Sequence, residues 1–596
     1  MRETLAGSWA LMRLAARIDA GKLAISLVLM VLQSVAMPLA APAMAALTDA
    51  AVAGDERRAT GSAVVVTVLA VAALTAGHFA HIFYFELGDR AVMELERELI
   101  ALSHDSPGIE HHERPDYADR LQVLRSELHR SGWGSMQALL TSVGLAVALA
   151  ITAVLLAGLN PWLLLLPVAA VPPLVLGRRA EKVLAGARDA AATENRRARH
   201  LLTLTLDASA AKELRACGLP REVRSRHRRA WDAASAVLWR GEVRADGLRA
   251  AGQLVFAVAY VLATLVVVRE AVRGQRSVGD VVLVIALAAQ VNAQVTAAVL
   301  VLQQLQRSSR TINDIAWMRG VVTAQSGEPG AGLPVPDALT EGIRFEGVSF
   351  TYPGTARPVL QDVDLLLPAG TSVAIVGENG AGKTTLVKLL CRFYLPTAGT
   401  ITVDGTDLRD LDPVAWREAT AAGFQDFCRF ELLARQNVGT GDLPRIDDDS
   451  AVLDALERAH SQDVLERLDD GLDTALSTTA GDGAQLSGGQ WQKLALGRAM
   501  MRSAPLLLVL DEPTSALDAQ AEHDLYERYA EHAASVGRRT GAITLLVSHR
   551  FSTVRMADLI LVAADQRIVE SGTHEQLMEL GGVYAELYEI QAAAYR

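Results

Sequence analysis

The chain is 596 residues long, 51% hydrophobic, 5% aromatic and 21% charged, with a formal net charge of −11 and a mean hydropathy of +0.22. That length exceeds what one compact core supports, and the apolar fraction excludes wholesale disorder. A positive mean hydropathy at this size points to membrane spans, and the negative charge argues against a nucleic-acid partner.

The charge is unevenly spread. Residues 1–341 hold 35 Lys and Arg against 31 Asp and Glu, a net of +4, whereas the remainder holds 22 against 37, a net of −15. A mildly basic, apolar half followed by an acidic half predicts two domains in different solvents. The three cysteines, Cys217, Cys391 and Cys428, form no CxxC pair, so their spacing supports neither a disulfide framework nor a structural zinc site.

A helix crossing the ~30 Å hydrocarbon layer needs ~20 apolar residues. Six stretches meet or approach this, at about 23–47, 64–87, 138–158, 161–177, 250–268 and 281–302. The first reads as a span rather than a signal peptide, because 22 residues precede it and its apolar run is too long. In the fourth, Pro161 suits a helix start while Pro167, Pro172 and Pro173 should kink it. The sixth carries Gln290, Asn292, Gln294 and Thr296, which must face other helices or line a substrate cavity.

Short segments join spans 1–2, 3–4 and 5–6, and long, helical-looking ones join 2–3 and 4–5. The second long loop is rich in Arg, including Arg178, Arg188, Arg196, Arg224 and Arg228. The positive-inside tendency puts those loops and both termini in the cytoplasm, and the helices should project well beyond the bilayer. Glu110-His111-His112-Glu113 in the first loop has the residue types of a metal site without further ligands at helical spacing, and reads as a solvated face.

Residues 1–319 are therefore expected to form an all-α transmembrane domain, 320–341 a Gly/Pro-rich linker, and 342–596 a second domain of α/β class. In the latter a short apolar strand, Ser372–Val376, runs into Gly377-Glu378-Asn379-Gly380-Ala381-Gly382-Lys383-Thr384, followed by Thr385 and an apolar helical pattern. This is a phosphate loop. Its glycines let backbone N–H groups turn toward phosphate oxygens, Lys383 reaches the β and γ phosphates, and the Thr384 hydroxyl suits Mg2+. A buried parallel strand, Leu506–Leu510, ends in Asp511-Glu512. Asp511 is positioned to bind Mg2+, and Glu512 to polarise an attacking water.

Leu486-Ser487-Gly488-Gly489-Gln490 matches the signature of ABC transporter ATPases, and the second half resembles that domain from about Ile343 to Gln591. The resemblance implies an ATP-hydrolysing α/β P-loop domain with further roles along the chain. Tyr352 would stack on adenine, Gln425 would sense Mg2+ and the attacking water, Asp518 would sit at a subunit boundary, and His549 would contact the γ-phosphate. In the family, one chain's signature (Ser487, Gly488, Gly489, Gln490) closes over ATP held by another, so a dimer with two nucleotides is implied. Six spans ahead of one such domain resemble an exporter-type half-transporter, with tips near Gly108–Tyr117 and Cys217–Pro220 contacting the ATPase domains. One departure stands out: Ser477–Gly483 replaces the family's Glu-rich, Arg-containing stretch before the signature, so the resemblance does not extend to the coupling contacts of that segment.

The expected function is ATP-driven export of an amphipathic or hydrophobic small molecule, lipid or peptide from a bacterial inner membrane. The expected partner is a second half-transporter chain, identical or related, in the lipid bilayer. The segment before the first span is too short for a leader-cleaving peptidase domain. Import of a metal chelate and an ATP-gated channel or regulator are the alternatives.

Overall fold

The computed structural model describes residues 2–325, 332–477, 483–512, 536–548 and 550–594. The first half is helical, in chain order α1 (Arg2–Val52), α2 (Glu56–His104), α3 (Glu110–Glu113), α4 (Pro115–Leu159), α5 (Leu165–Ala169), α6 (Val171–Leu206), α7 (Ala208–Ala216), α8 (Pro220–Val272) and α9 (Val278–Gln325); the apolar spans fall in all of these but the short α3 and α7. Among the described residues, six helical segments are long and apolar enough to cross a membrane. At 1.5 Å per residue, the 53 residues of α8 extend ~80 Å, more than twice the hydrocarbon thickness. The excess is the projection expected from the loop sequences.

Prolines punctuate the fourth span. Asn160 accepts a hydrogen bond from the Trp162 N–H, and Pro161 opens a 3-10 turn. Pro172 and Pro173 sit in the first turn of α6, where a missing N–H costs nothing. The break therefore falls at Ala170, ahead of the proline pair. The chain also leaves helical geometry at Asp19, inside α1.

Close packing relies on small residues. A Cβ added at Gly252 of α8 would lie 2.8 Å from Pro173 Cα, and one at Gly241 would lie 2.4 Å from Ala187 Cβ. Arg249 and Glu181 form an ion pair of 2.7 Å between the same two helices. The polar residues of α9 are partly absorbed in the same way. Gln290 donates to the Met37 carbonyl at 2.7 Å, and Gln294 donates to Thr152 Oγ1 at 3.0 Å.

The remaining strands form two sheets. An antiparallel sheet has the order β2 (Leu360–Pro368), β1 (Gly342–Phe350), β4 (Ala398–Val403), β5 (Thr406–Asp407). A six-stranded sheet has the order β10 (Arg567–Gly572), β9 (Leu559–Ala564), β3 (Ser372–Gly377), β8 (Ile543–Val547), β7 (Leu507–Asp511), β6 (Thr420–Gly423). All its pairs are parallel except β9 with β10. Every residue of β7 and β8 is buried, which explains their continuous apolar runs. Phe345, Val373, Leu389, Trp416 and Val509 belong to the core between these layers.

Compact units do not follow chain order. One comprises Met1–Ile100 with Arg120–Trp317; the other comprises Ala101–Asp119 with Met318–Arg596. Hydrogen bonds give the physical reason for the loop's membership. Ile109 N–H donates to the Phe393 carbonyl at 3.2 Å, and the Arg417 guanidinium donates to the Pro107 carbonyl at 2.7 Å.

Candidate active site

Strand β3 carries the chain into the site. Its four central residues are buried, and it ends at Gly377, where φ is +149° and a Cβ would lie 2.1 Å from the Ala563 carbonyl oxygen. Gly382, at φ +96°, caps helix α10 (Lys383–Leu390). A side chain there would meet Leu360 at 2.7 Å. Both positions require glycine, so the loop backbone is left bare beside the α10 N-terminus.

A cavity of about 500 Å3 opens above this loop, lined by Asn379, Gly380, Gly382, Lys383, Thr384, Thr385, Gln425, Asp511 and Glu512. Lys383 is buried, and its Nζ donates to the carbonyls of Gly377 (2.8 Å) and Glu378 (2.9 Å). Burial pulls its pKa down, opposed by the charges of Glu512 and Asp511. Ala381, within the loop, is buried.

Burial and the adjacent Glu512 charge push the Asp511 carboxyl up to about 6, against a hydrogen bond with Thr384. A carboxylate held up in this way is short of positive charge. Together with the Thr384 hydroxyl it makes a hard-oxygen donor pair of the type that suits Mg2+. Gln425 Nε2 donates to Glu512 Oε2 at 2.8 Å, which fixes the amide. Glu512 itself has a left-handed backbone, φ +48°, with its N–H donating to the Val547 carbonyl at 3.0 Å. A non-glycine residue held there is strained backbone at the point where chemistry is expected.

Tyr352 joins the site through its hydroxyl, 3.1 Å from Thr385 Oγ1. Its ring meets Phe350 and Tyr394 edge-on, and Lys388 Nζ lies 5.2 Å from its centroid. Lys388 pairs with Glu113 Oε1 at 2.5 Å, and the Tyr394 hydroxyl donates to the other oxygen of Glu113. This cluster of Glu113, Lys388 and Tyr394 had no sequence signal, because Glu113 and Lys388 are 275 residues apart. Val359 and Val547 complete the cavity wall. The neighbouring His111 and His112 both turn toward the Ser103 carbonyl, at 3.1 and 2.9 Å.

The signature residues lie outside this cavity. Ser487 caps the helix Gly488–Ala499 in a reciprocal capping box: its hydroxyl accepts from Gln490 N–H, and Gln490 Oε1 accepts from Ser487 N–H. Gln490 thus shapes the helix start, and the amides of Gly488 and Gly489 belong to its first turn. Asp518, His549 and residues 478–482 lie outside the described residues.

Residues 360–515 match the family model described as ABC transporter. That match lies within the second unit. Such a domain implies nucleotide binding. Among relatives, an ATP-dependent lipid A-core flippase from Burkholderia orbicola is 41% identical over 272 residues, covering 46% of this chain and 44% of that protein. A mitochondrial potassium channel ATP-binding subunit from Rattus norvegicus is 43% identical over 268 residues, 44% of this chain and 35% of that protein. The chain thus spans less than half the length of these relatives. A solved bacterial Atm1-family ABC exporter with ATP bound superposes with a TM-score of 0.77 at 24% identity, over 96% of this chain and 99% of that one. The fold is that of this exporter structure, and the six apolar helical segments among the described residues make the chain an integral membrane protein.

Proposed function

We propose that the chain is half of an ATP-driven exporter of amphipathic compounds, its ATPase domain and termini cytoplasmic. The observation that carries this reading is the convergence of the phosphate loop, Asp511 and the Gln425–Glu512 pair on one cavity. The loop amides and Lys383 bind the phosphates of ATP, for which Lys383 exchanges its carbonyl partners. Tyr352 supports the adenine. Glu512, oriented by Gln425, accepts the proton of the attacking water, and the cavity wall holds that water in line.

Thr384, Asp511 and the Gln425 amide oxygen would hold Mg2+, which would supply charge neutralisation at the phosphate oxygens. Because Ser487, Gly488 and Gly489 are absent from the cavity that holds the phosphate loop, a second chain supplies them. This chain carries both halves, so it is able to pair with itself. Asp518 and His549 keep their proposed places at the subunit boundary and γ-phosphate.

ATP-dependent accumulation of a fluorescent amphiphile inside inverted vesicles containing the purified chain tests the reading. Accumulation against a gradient is expected. Flux that only follows the gradient would instead favour the channel-subunit role, named for some relatives.

A further inference from the structure

A cavity of about 350 Å3 lies between α6 and α9, lined by two helical stripes. On α6 the stripe runs Leu174, Arg178, Lys182, Arg188; on α9 it runs Val299, Leu302, Arg307, Arg310. The spacing keeps each set on one helix face. Both stripes change character at the same level, since the apolar spans end near residues 177 and 302. Apolar side chains line the part within the span, and cations line the part just beyond it.

Five cations therefore share one cavity, and none makes an ion pair among the described residues. The sole acid in the lining, Glu181, is engaged at 2.7 Å by Arg249, which is not part of the wall. Such an arrangement is self-repelling, and a bound anion relieves it. Arginine forks favour phosphate or carboxylate oxygens, and the amides of Gln303 and Gln306 add neutral hydrogen-bonding groups beside them. The apolar rim asks for something a free anion lacks: a hydrocarbon tail.

We infer that the α6–α9 cavity binds an anionic amphiphile, its phosphate or carboxylate head between Arg178, Lys182, Arg307 and Arg310 and its apolar body against Leu174, Val299 and Leu302. This rests on the export reading only in making the occupant the cargo; the binding site stands on the lining itself. It narrows the cargo from amphiphiles in general to negatively charged ones.

The test uses the full chain in phosphatidylcholine nanodiscs with three probes: dodecyl phosphate, zwitterionic dodecylphosphocholine and inorganic phosphate. Dodecyl phosphate is expected to bind at least ~10-fold more tightly than dodecylphosphocholine, with the preference shrinking as salt rises. The R178Q/R307Q pair should lose that preference, R178K/R307K should retain most of it, and R224Q, an exposed cation outside the cavity, should leave it unchanged. Equal binding of the two amphiphiles overturns the inference, as does inorganic phosphate binding as tightly as dodecyl phosphate. Preferential binding without vesicle accumulation would uphold the anion site while refuting export; accumulation of neutral and anionic amphiphiles alike would do the reverse.

Discussion

Glu512 and Lys388 illustrate two kinds of residue around one nucleotide site. Glu512 is held by Gln425 and by a strained left-handed backbone, so its carboxylate has a defined place. Replacing it by Gln removes the proposed base but keeps the shape. E512Q is expected to slow steady-state ATP hydrolysis by ~100-fold or more while ATP-bound dimer accumulates; measured turnover close to that of the unmodified chain would remove Glu512 from the role. Lys388 contributes differently. Its ammonium lies 5.2 Å from the Tyr352 ring centroid and is anchored by Glu113. A cation near an aromatic ring is worth ~0.5–2 kcal/mol. K388M should therefore raise KM for ATP several-fold, with kcat changing less, and E113Q should move KM in the same direction. The sequence marked Glu512 because it follows an apolar strand directly. It could not mark Lys388, whose significance comes from a carboxylate 275 residues away.

Among elements, two junctions bear much of the geometry. Asp404, at the β4–β5 turn, accepts from the N–H groups of Thr340 (2.7 Å), Glu341 (2.9 Å) and Gly342 (2.8 Å). Burial alone would raise its pKa, but these donors together outweigh it and hold the carboxyl below the usual range. A depressed folded pKa means stabilisation present above the ordinary carboxylate range and lost as pH falls through the folded value. D404A should cost about 1–2 kcal/mol near neutral pH, read as a lower melting temperature, and the gap from the unmodified protein should close in acid. The other junction is α6 with α8. Because a Cβ at Gly252 would lie 2.8 Å from Pro173 backbone, G252L should separate the helices and lower thermal stability in detergent, whereas an exposed site such as Gly247, with open space around it, should accept leucine. Proline chemistry explains the one adjustment in this region: Pro172 and Pro173 start α6, so the break precedes them.

For the whole molecule, the proposed division of labour between two chains has a direct test. A K383A chain lacks the phosphate grip but keeps a signature; a G488D chain keeps the grip and places a carboxylate where the γ-phosphate is expected. Each alone should hydrolyse ATP poorly. Mixed dimers should regain a substantial part of the activity at their one intact interface, measured on differently tagged chains purified in sequence. Mixed dimers no better than either parent would mean that the signature does not act in trans.

Sequence alone determined what depends on local spacing. Six apolar runs, the phosphate loop between β3 and α10, and the acidic end of β7 are local patterns, so hydrocarbon thickness and phosphate geometry could be read from them directly. The role of Gln294 was not legible in that way, because it meets Thr152 on another helix. Tertiary structure decided which unit claims Ala101–Asp119, how Glu113 reaches Lys388, and that five cations on α6 and α9 face one cavity. These are relations between residues far apart in the chain, and only folding turns such separations into distances at which charges and hydrogen bonds act.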